Sequence, residues 1–337
     1  MEKSIITPSG RFWIRPFEPG DEAKVLKLWE KAFGREMPLK LWRWKYTQNP
    51  WGQRIMLCMS EEGQVVVMFA ALPYKGLAGG RNLEMLHAVD NMSHPAFRGT
   101  ISGRQGLFAI TAKHFFRMFA NEQGAGFVYG FPGQRHFRLG RMILNYASLP
   151  KGMTYLEADV QKMKTGLRLF SGKCKPETAA GKEFDGLAPS LRERYPFMIL
   201  RDASFLNWRF TRHPLYEYEI WSYRSLFTSR LKGYSVIKVQ GTEAILADVL
   251  LPDQRMHSVD FCRRVMLELA GRGINRIKTW LPDGHFLNDL LHVAGWEEKN
   301  EPLGFVPAAV AQTFRPDLPY PWAGDNIFYT MADGDVI

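Results

Sequence analysis

The sequence of 337 residues has little cysteine and no long hydrophobic run. Its three cysteines, Cys58, Cys174 and Cys262, are too few and too scattered for a disulfide framework, and their spacing does not predict a zinc site. The longest apolar run, residues 65–73, is far shorter than the ~20 residues of a membrane-spanning helix and is typical of a buried strand. The N-terminal segment lacks the hydrophobic stretch of a signal peptide. We therefore expect a cytoplasmic protein without a membrane span or a metal.

The charge is positive but dispersed along the chain. With 44 Lys and Arg against 34 Asp and Glu, the net charge is +10, which favours anionic partners such as nucleic acid, acidic lipid or a phosphate-rich cofactor. No basic run of five or more residues predicts a nucleic-acid tail, and most of these side chains are expected on a solvated surface. Aromatic residues make up 13%, which excludes the disordered and collagen-like classes. At roughly 150 residues per domain, the length predicts two domains.

Two segments of the chain match almost residue for residue. Trp44-Lys-Tyr-Thr-Gln-Asn-Pro50 aligns with Trp208-Arg-Phe-Thr-Arg-His-Pro214. We expect both tryptophans to be core anchors, with Lys45 and Arg209 reaching outward. After each segment the hydrophobic pattern predicts two strands, a long amphipathic helix and another strand, which in the first copy are 63–72, 83–93, 104–122 and 127–132, and in the second 234–239, 244–251, 258–270 and 274–282. The chain is therefore predicted to be an α/β protein with two copies of one unit.

A turn containing Gly and Arg follows the second predicted strand of the first copy. It lies within Asp90-Asn-Met-Ser-His-Pro-Ala-Phe-Arg-Gly-Thr-Ile-Ser-Gly103 and leads into the long helix. A glycine turn that opens a helix leaves backbone N–H groups free, and these groups bind phosphate together with the helix dipole. Arg98 adds a positive charge at the same place. The alternative is an ordinary surface turn, because a glycine turn is a weak motif.

The segment Met92-Ser-His-Pro-Ala-Phe-Arg-Gly99 resembles the turn of the GNAT superfamily of acyl-CoA N-acyltransferases, in which a hydrophobic residue, His-Pro, an aromatic residue and Arg-Gly precede a long helix. Ile14-Arg-Pro-Phe-Glu-Pro-Gly-Asp21 looks like the start of that family's first strand and helix, and residues 285–296 look like its last helix and strand. The paired layout is similar to that of Eis-like acetyltransferases and FemABX-type aminoacyl transferases.

The resemblance implies a mixed α+β fold with two tandem GNAT-like units, each a mostly antiparallel mixed sheet flanked by helices. The expected boundaries are an N-terminal domain with the acyl-CoA site over 1–154, a connector over 155–186, and a degenerate C-terminal domain with a Pro-rich tail over 187–337. The implied acyl-CoA-binding residues are Asn91, Met92, Ser93, Arg98, Gly99, Thr100, Ile101, Ser102 and Gly103.

One position of the turn departs from the family pattern. Ile101 stands where the family has its first required glycine, and a β-branched residue does not readily adopt positive φ. Two interpretations remain open at this point: a one-residue insertion that uses Gly99, Gly103 and Gly106, or altered phosphate binding.

The implied activity is transfer of an acyl group, with acetyl expected, from acyl-CoA to a primary amine of a small molecule or sugar. The co-substrate is acetyl-CoA or another acyl-CoA, and no metal is required. Asp90 is the first candidate for the base and Glu84, through water, the alternative; Asp90 could equally cap the following turn. Tyr146 is the candidate acid, with Tyr129 also available, although either can be a buried tyrosine. His87 is expected to be a packed strand histidine.

Two other functions stay open. An aminoacyl transferase that takes its donor from charged tRNA would use the basic charge, and only under this alternative is nucleic acid a partner. A catalytically inactive tandem unit that binds an anionic partner is the other. The acceptor, the acyl length and the oligomeric state stay open.

Overall fold

The computed structural model describes residues 3–7, 10–98, 103–162, 172–302 and 310–335. The chain folds into two compact units. The first comprises Met1–Lys75, Leu83–Leu149 and Ala309–Tyr320, and the second comprises Gly76–Asn82, Pro150–Ala308 and Pro321–Ile337. The boundaries of these units differ from the predicted boundaries 1–154, 155–186 and 187–337, because strands pair across long stretches of sequence.

The strands and helices are numbered along the chain. The strands are β1 (Lys3–Thr7), β2 (Gly10–Pro16), β3 (Arg54–Ser60), β4 (Val65–Ala78), β5 (Arg81–Ser93), β6 (Phe127–Gly130), β7 (Ala147–Ser148), β8 (Met153–Asp159), β9 (Gly172–Glu177), β10 (Phe197–Ile199), β11 (Glu219–Ser225), β12 (Leu231–Gln240), β13 (Glu243–Leu250), β14 (Arg276–Pro282), β15 (Glu297–Lys299) and β16 (Val310–Thr313). The α-helices are α1 (Glu22–Phe33), α2 (Leu39–Trp42), α3 (Leu107–Phe119), α4 (Gln134–Leu144), α5 (Leu187–Ser190), α6 (Ala203–Leu206), α7 (Arg255–Gly271), α8 (Phe286–Ala294) and α9 (Tyr320–Asn326).

The first unit is built on a sheet with the strand order β1-β2-β3-β4-β5-β6-β16-β7. The pairs from β1 to β4 are antiparallel, whereas β5 pairs in parallel with β6, and α3 connects the two. The apolar run of residues 65–73 is the buried part of β4, as predicted. It contributes Phe69 to a core that also includes Phe12 on β2, Leu86 on β5 and Phe115 on α3. The strand β16 returns late in the chain and pairs with β6 and β7, which explains why this unit ends beyond residue 154.

The second unit is built on a sheet with the order β15-β8-β14-β13-β12-β11-β9. Here the parallel pair is β13 and β14, and α7 connects them, while the neighbouring pairs are antiparallel. The parallel pair with its long helix therefore occurs in both units, at the places where the sequence predicted a strand, a helix and a strand. The segment 155–186, predicted as a connector, contributes most of β8 and all of β9 to this sheet. The mixed α/β class is confirmed.

The matching segments adopt the same local structure. In each, a short helix, α2 or α6, continues into a π-helical turn, Arg43–Thr47 or Asn207–Thr211. Trp44 and Trp208 are buried core residues, as predicted. The prediction that Lys45 and Arg209 reach outward is wrong, because each is only 3% exposed and each has a buried acceptor. Lys45 pairs with Asp90, and Arg209 donates to main-chain carbonyls near the end of the chain.

Candidate active site

A groove of about 770 Å³ lies within the first unit. Its lining comes from five places: the end of α1, Val67 of β4, the last residues of β5 with the turn that follows, the start of α3, and the first three turns of α4. Aromatic and aliphatic side chains such as Phe33, Phe97 and Leu139 form much of its surface, with polar groups from Asn91, Ser93 and other residues between them. A concave, largely apolar site with a few polar groups is typical of a small-molecule binding site.

The sheet opens where β5 enters the groove. The parallel register of β5 with β6 runs from Met85 to His87, whereas β5 continues to Ser93. Between these points Asp90 has φ +53°, in the left-handed region. The amide of Ala70 on β4 donates to the side-chain Oδ1 of Asn91 (2.9 Å). Together these features indicate a bulge, which locally bends a strand and redirects the residues that follow it.

The helix α3 begins at the groove. It starts at Leu107 after Gly106, which has no side chain to cap the helix, and its first turn holds no acidic residue. Gly103, with φ +68°, starts the short 3₁₀ segment that precedes it. Residues 106–109 line the groove. Because the first N–H groups of a helix lack intrahelical acceptors and carry the positive end of the helix dipole, this end is suited to an anion.

The side chains of the His-Pro turn stabilise the turn itself. His94 Nδ1 accepts the amide of Ala96 (3.2 Å), which caps the 3₁₀ turn Pro95–Phe97. Partial burial, with the charges of Lys31 and Arg98, lowers the pKa of His94 and favours this acceptor state. The Phe97 ring packs edge-on against a core ring, and the exposed Arg98 donates Nε and Nη2 to the carbonyl of Ser93 (3.1 and 2.9 Å). Arg98 thus closes the turn and still lines the groove.

The predicted acyl-CoA residues divide into two groups. Asn91, Met92, Ser93, Arg98 and Gly103 all line the groove. Gly99, Thr100, Ile101 and Ser102 lie outside the described residues.

The described residues that line the groove do not include the three predicted catalytic residues, Asp90, Glu84 and Tyr146. Asp90 has a buried carboxylate, 4% exposed, whose Oδ2 pairs with Lys45 Nζ (2.8 Å) and accepts the Tyr46 hydroxyl (2.6 Å). Glu84 lies nearer the start of β5 and pairs with Arg54 (2.9 Å). Their catalytic roles stay predictions, but two donors already share the Asp90 oxygen.

The two candidate tyrosines are packed side chains. The Tyr146 ring packs against Gly140 of α4, where any Cβ would overlap the ring, and burial raises the pKa of its hydroxyl. Tyr129 is buried on β6, and its ring is stacked on the buried His87 ring with a centroid distance of 4.9 Å. His87 is therefore a packed strand histidine, as predicted.

His136 is a groove residue that the sequence analysis did not select. It lies in the first turn of α4, between the rings of Phe108 and Tyr146 (centroid distances 6.4 and 6.2 Å). Burial lowers the pKa of His136, so its imidazole is neutral at neutral pH. The available signal was the His-Phe pair that starts this helix and recurs at His285 in the second copy.

The second unit has a different turn at the corresponding place. Between β13 and α7 the residues are Leu251-Pro-Asp-Gln254, without glycine. Of the described residues, those of β13 all avoid positive φ. The left-handed strand residue and the glycine turn are therefore features of the first unit among the described residues, although the pairing of β12 with β13 has a register shift of its own between Val236 and Ile237.

Comparisons with known proteins agree with this division. The model of a family described as an acetyltransferase (GNAT) domain matches residues 13–139, which include part of β2, β3 to β6, α3 and the start of α4. No curated protein matches the chain. No described helix has the length and apolar character needed to cross a membrane, and the described residues contain no cluster of three or more His, Cys, Asp or Glu side chains suited to a metal ion.

Three solved structures share the fold. A conserved protein of unknown function from Enterococcus faecalis V583, titled a probable N-acyltransferase, is 14% identical with a TM-score of 0.67, over 90% of this chain and 73% of that one. A GCN5-related N-acetyltransferase from Anabaena variabilis ATCC 29413 is 13% identical with a TM-score of 0.66, over 90% and 73%. A GCN5-related N-acetyltransferase from Kribbella flavida is 13% identical with a TM-score of 0.64, over 90% and 71%. At these identities the likeness concerns the fold alone.

Proposed function

We propose, from the premise that this chain has the GNAT superfamily fold with its GNAT domain over residues 13–139, that it is an acyl-CoA-dependent N-acyltransferase. The acyl group is acetyl, and the acceptor is the primary amine of a small molecule or sugar. One observation carries the proposal: the uncapped start of α3 opens into the same groove as the strand end at residues 91–93.

The groove offers complementary groups to the two halves of an acyl-CoA. Its diphosphate would bind at the main-chain amides of residues 107–109, with Arg98 adding positive charge at the same end. Its pantetheine amides would lie along residues 91–93, because the strand end beyond the β6 register can pair with an extended ligand as a further strand would.

The reaction needs a proton to move from the amine to the departing sulfur. The amine nitrogen attacks the thioester carbonyl carbon, the C–S bond breaks, and the amide product and CoA thiolate are formed. An alkyl amine has a pKa of about 10 and a thiol about 8.5, so the amine must give up its proton. We assign this transfer to His136, whose neutral imidazole accepts the amine proton and returns it to the thiolate. Asp90, Glu84 and Tyr146 stay alternative predictions for the proton-transfer steps.

Isothermal titration with CoA tests the binding site. We expect micromolar binding by the unaltered chain and its loss in Arg98→Glu. Arg117→Glu is the matched control, because it changes the charge by the same amount at an exposed position in the last turn of α3, away from the groove. Equal weakening by both substitutions, or no CoA binding by the unaltered chain, would contradict the proposal.

Acyl transfer is tested with acetyl-CoA and a panel of primary amines that includes amino sugars, with release of the CoA thiol as the signal. His136→Gln should lower the turnover number and remove the acidic limb of its pH profile while CoA binding persists. Salt-sensitive binding of tRNA without CoA binding would instead favour the aminoacyl transferase. CoA binding without transfer to any amine would favour a non-catalytic module.

We also propose that the second unit is a degenerate GNAT-like copy without an acyl-CoA site. The shared β5-α3-β6 and β13-α7-β14 arrangements support a common origin for the two units. The turn before α7, which lacks glycine, supports the loss of the site.

A further inference from the structure

We propose that Lys45 and Tyr46 are positioning residues that hold Asp90 in a left-handed bulge and thereby set the course of residues 91–93 along the groove. We call the Lys45, Tyr46 and Asp90 side chains the clamp. The inference rests on the proposed function of the groove, because the effect of the clamp is measured as a change in acyl-CoA binding.

The backbone at Asp90 requires a restraint. Its φ of +53° lies inside a strand, where glycine is the residue that ordinarily takes this conformation. A side chain at such a position is strained, although Asp and Asn tolerate it better than most residues. Strain of this kind persists only where surrounding contacts maintain it.

The clamp supplies those contacts. Lys45 Nζ lies 2.8 Å and the Tyr46 hydroxyl 2.6 Å from the same Asp90 oxygen, Oδ2. The Lys45 and Asp90 side chains are each 4% exposed, so the ion pair is shielded from water. Lys45 and Tyr46 are neighbours on the π-helical turn Arg43–Thr47, which fixes both donors relative to each other.

The bulge has a direct effect on the groove. On its groove side, the side-chain Oδ1 of Asn91 accepts the main-chain amide of Ala70 on β4 (2.9 Å). Residues 91–93 follow immediately and line the groove. A shift of Asp90 into extended geometry would rotate these residues, because side chains of a strand alternate between its two faces.

The second copy lacks the clamp. Its Arg209, which corresponds to Lys45, donates to the carbonyls of Ala332 (3.1 Å) and Gly334 (3.0 Å). Its Phe210, which corresponds to Tyr46, has no hydroxyl. The left-handed residue and the two donors therefore occur together in the unit that holds the groove.

Three substitutions of Asp90 distinguish the effect of the bulge on acetyl-CoA binding from the effect of the carboxylate. Asp90→Gly removes the carboxylate but accepts positive φ, Asp90→Asn accepts positive φ and keeps an acceptor for Tyr46, and Asp90→Ala does neither. We expect the dissociation constant of acetyl-CoA, measured by isothermal titration, to be about tenfold higher for Asp90→Ala than for the Gly and Asn variants. Equal weakening by Gly and Ala would overturn the proposal, because it would show that the carboxylate and not the bulge is required.

The clamp residues are tested in two backgrounds. Tyr46→Phe and Lys45→Met should weaken acetyl-CoA binding in the unaltered chain and have little further effect on Asp90→Gly, whose bulge needs no restraint. Equal effects in both backgrounds would overturn the proposal. With an amine that the panel identifies, Tyr46→Phe should raise the KM for acetyl-CoA and leave the shape of the pH profile unchanged; a lost limb would overturn the proposal, because it would give the clamp a part in proton transfer.

A ligand-free readout keeps this test separate from the proposed function. In crystal structures without CoA, residue 90 should keep positive φ in Asp90→Gly and move to extended geometry in Lys45→Met. Positive φ retained in Lys45→Met would overturn the clamp whether or not CoA binds. If the unaltered chain fails to bind acetyl-CoA but residue 90 moves as expected, the proposed function fails and the clamp stands as a structural device.

Discussion

Replacing Lys45 by Met should destabilise the first unit strongly. The ammonium contacts Asp90 Oδ2, as the Tyr46 hydroxyl does, and both side chains of the ion pair are 4% exposed. The substitution fills the space of the lysine stem but removes the counter-charge of a buried carboxylate, which keeps its hydrogen bond from the Tyr46 hydroxyl. Removing one partner of a buried ion pair costs about 3–5 kcal/mol, because the other charge stays buried without its counter-charge. We expect a loss of that size in the free energy of unfolding.

Urea denaturation of the full chain, followed by far-UV circular dichroism, measures this loss. Lys40→Met is the matched control, because Lys40 is exposed on α2 and its substitution should change stability by less than about 0.5 kcal/mol. The double variant Lys45→Met with Asp90→Asn should recover most of the loss, since it leaves no buried charge. A loss below about 1 kcal/mol in Lys45→Met, or no recovery in the double variant, would refute the reasoning, because a solvated pair behaves in that way.

Three further predictions concern the second unit. Arg201 is fully buried and bonds the Asp333 carboxylate, with Asp248 at 3.5 Å, so Arg201→Met should cost about 3–5 kcal/mol in urea denaturation; a loss below about 1 kcal/mol would contradict a buried pair. Burial, more than the nearby charge of an arginine, lowers the pKa of Lys238 from 10.5 to about 8. As the pH rises, the folded chain therefore loses this proton before the unfolded chain does. The melting temperature relative to that of Lys238→Met should rise between pH 8 and 10.5. Burial lowers the pKa of His285 from 6.5 to about 3, so the unfolded chain takes up the proton first, and the melting temperature relative to His285→Asn should fall as the pH drops below 6.5. A pH-independent difference between the paired proteins would contradict either of the last two.

The elements that sequence patterns predicted well are those with a local cause. Hydrophobic periodicity placed α3 within 104–122 and α7 close to 258–270, and the observed helices are Leu107–Phe119 and Arg255–Gly271. The repeated Trp motif predicted two copies of one local structure, and both copies form a short helix followed by a π-helical turn. The Gly/Arg turn was predicted from its residue types, and five of its nine assigned residues line the groove, four being outside the described residues. Periodicity, turn residues and helix starts act over a few neighbouring residues, so they are readable along the chain.

The candidate catalytic residues were harder to predict, because their environment comes from distant parts of the chain. Asp90 was selected for its place beside the turn, but its partner Tyr46 is 44 residues away, and no local pattern indicates that this pair is buried. Lys45 was expected to reach solvent because lysine usually does, and it is buried because the Asp90 carboxylate on β5 pairs with it. His136 enters the groove because α4 packs beside α3.

Residue order alone therefore specified the mixed α/β class, the repeated strand-helix-strand pattern and the place of the turn that leads into α3, since each depends on contacts between near neighbours. The packing of the folded chain specified which side chains face the groove, which charges are buried together, and where the strand β5 bends. Those properties depend on distances between residues far apart in sequence, and such distances exist only after the sheet and its helices have come together.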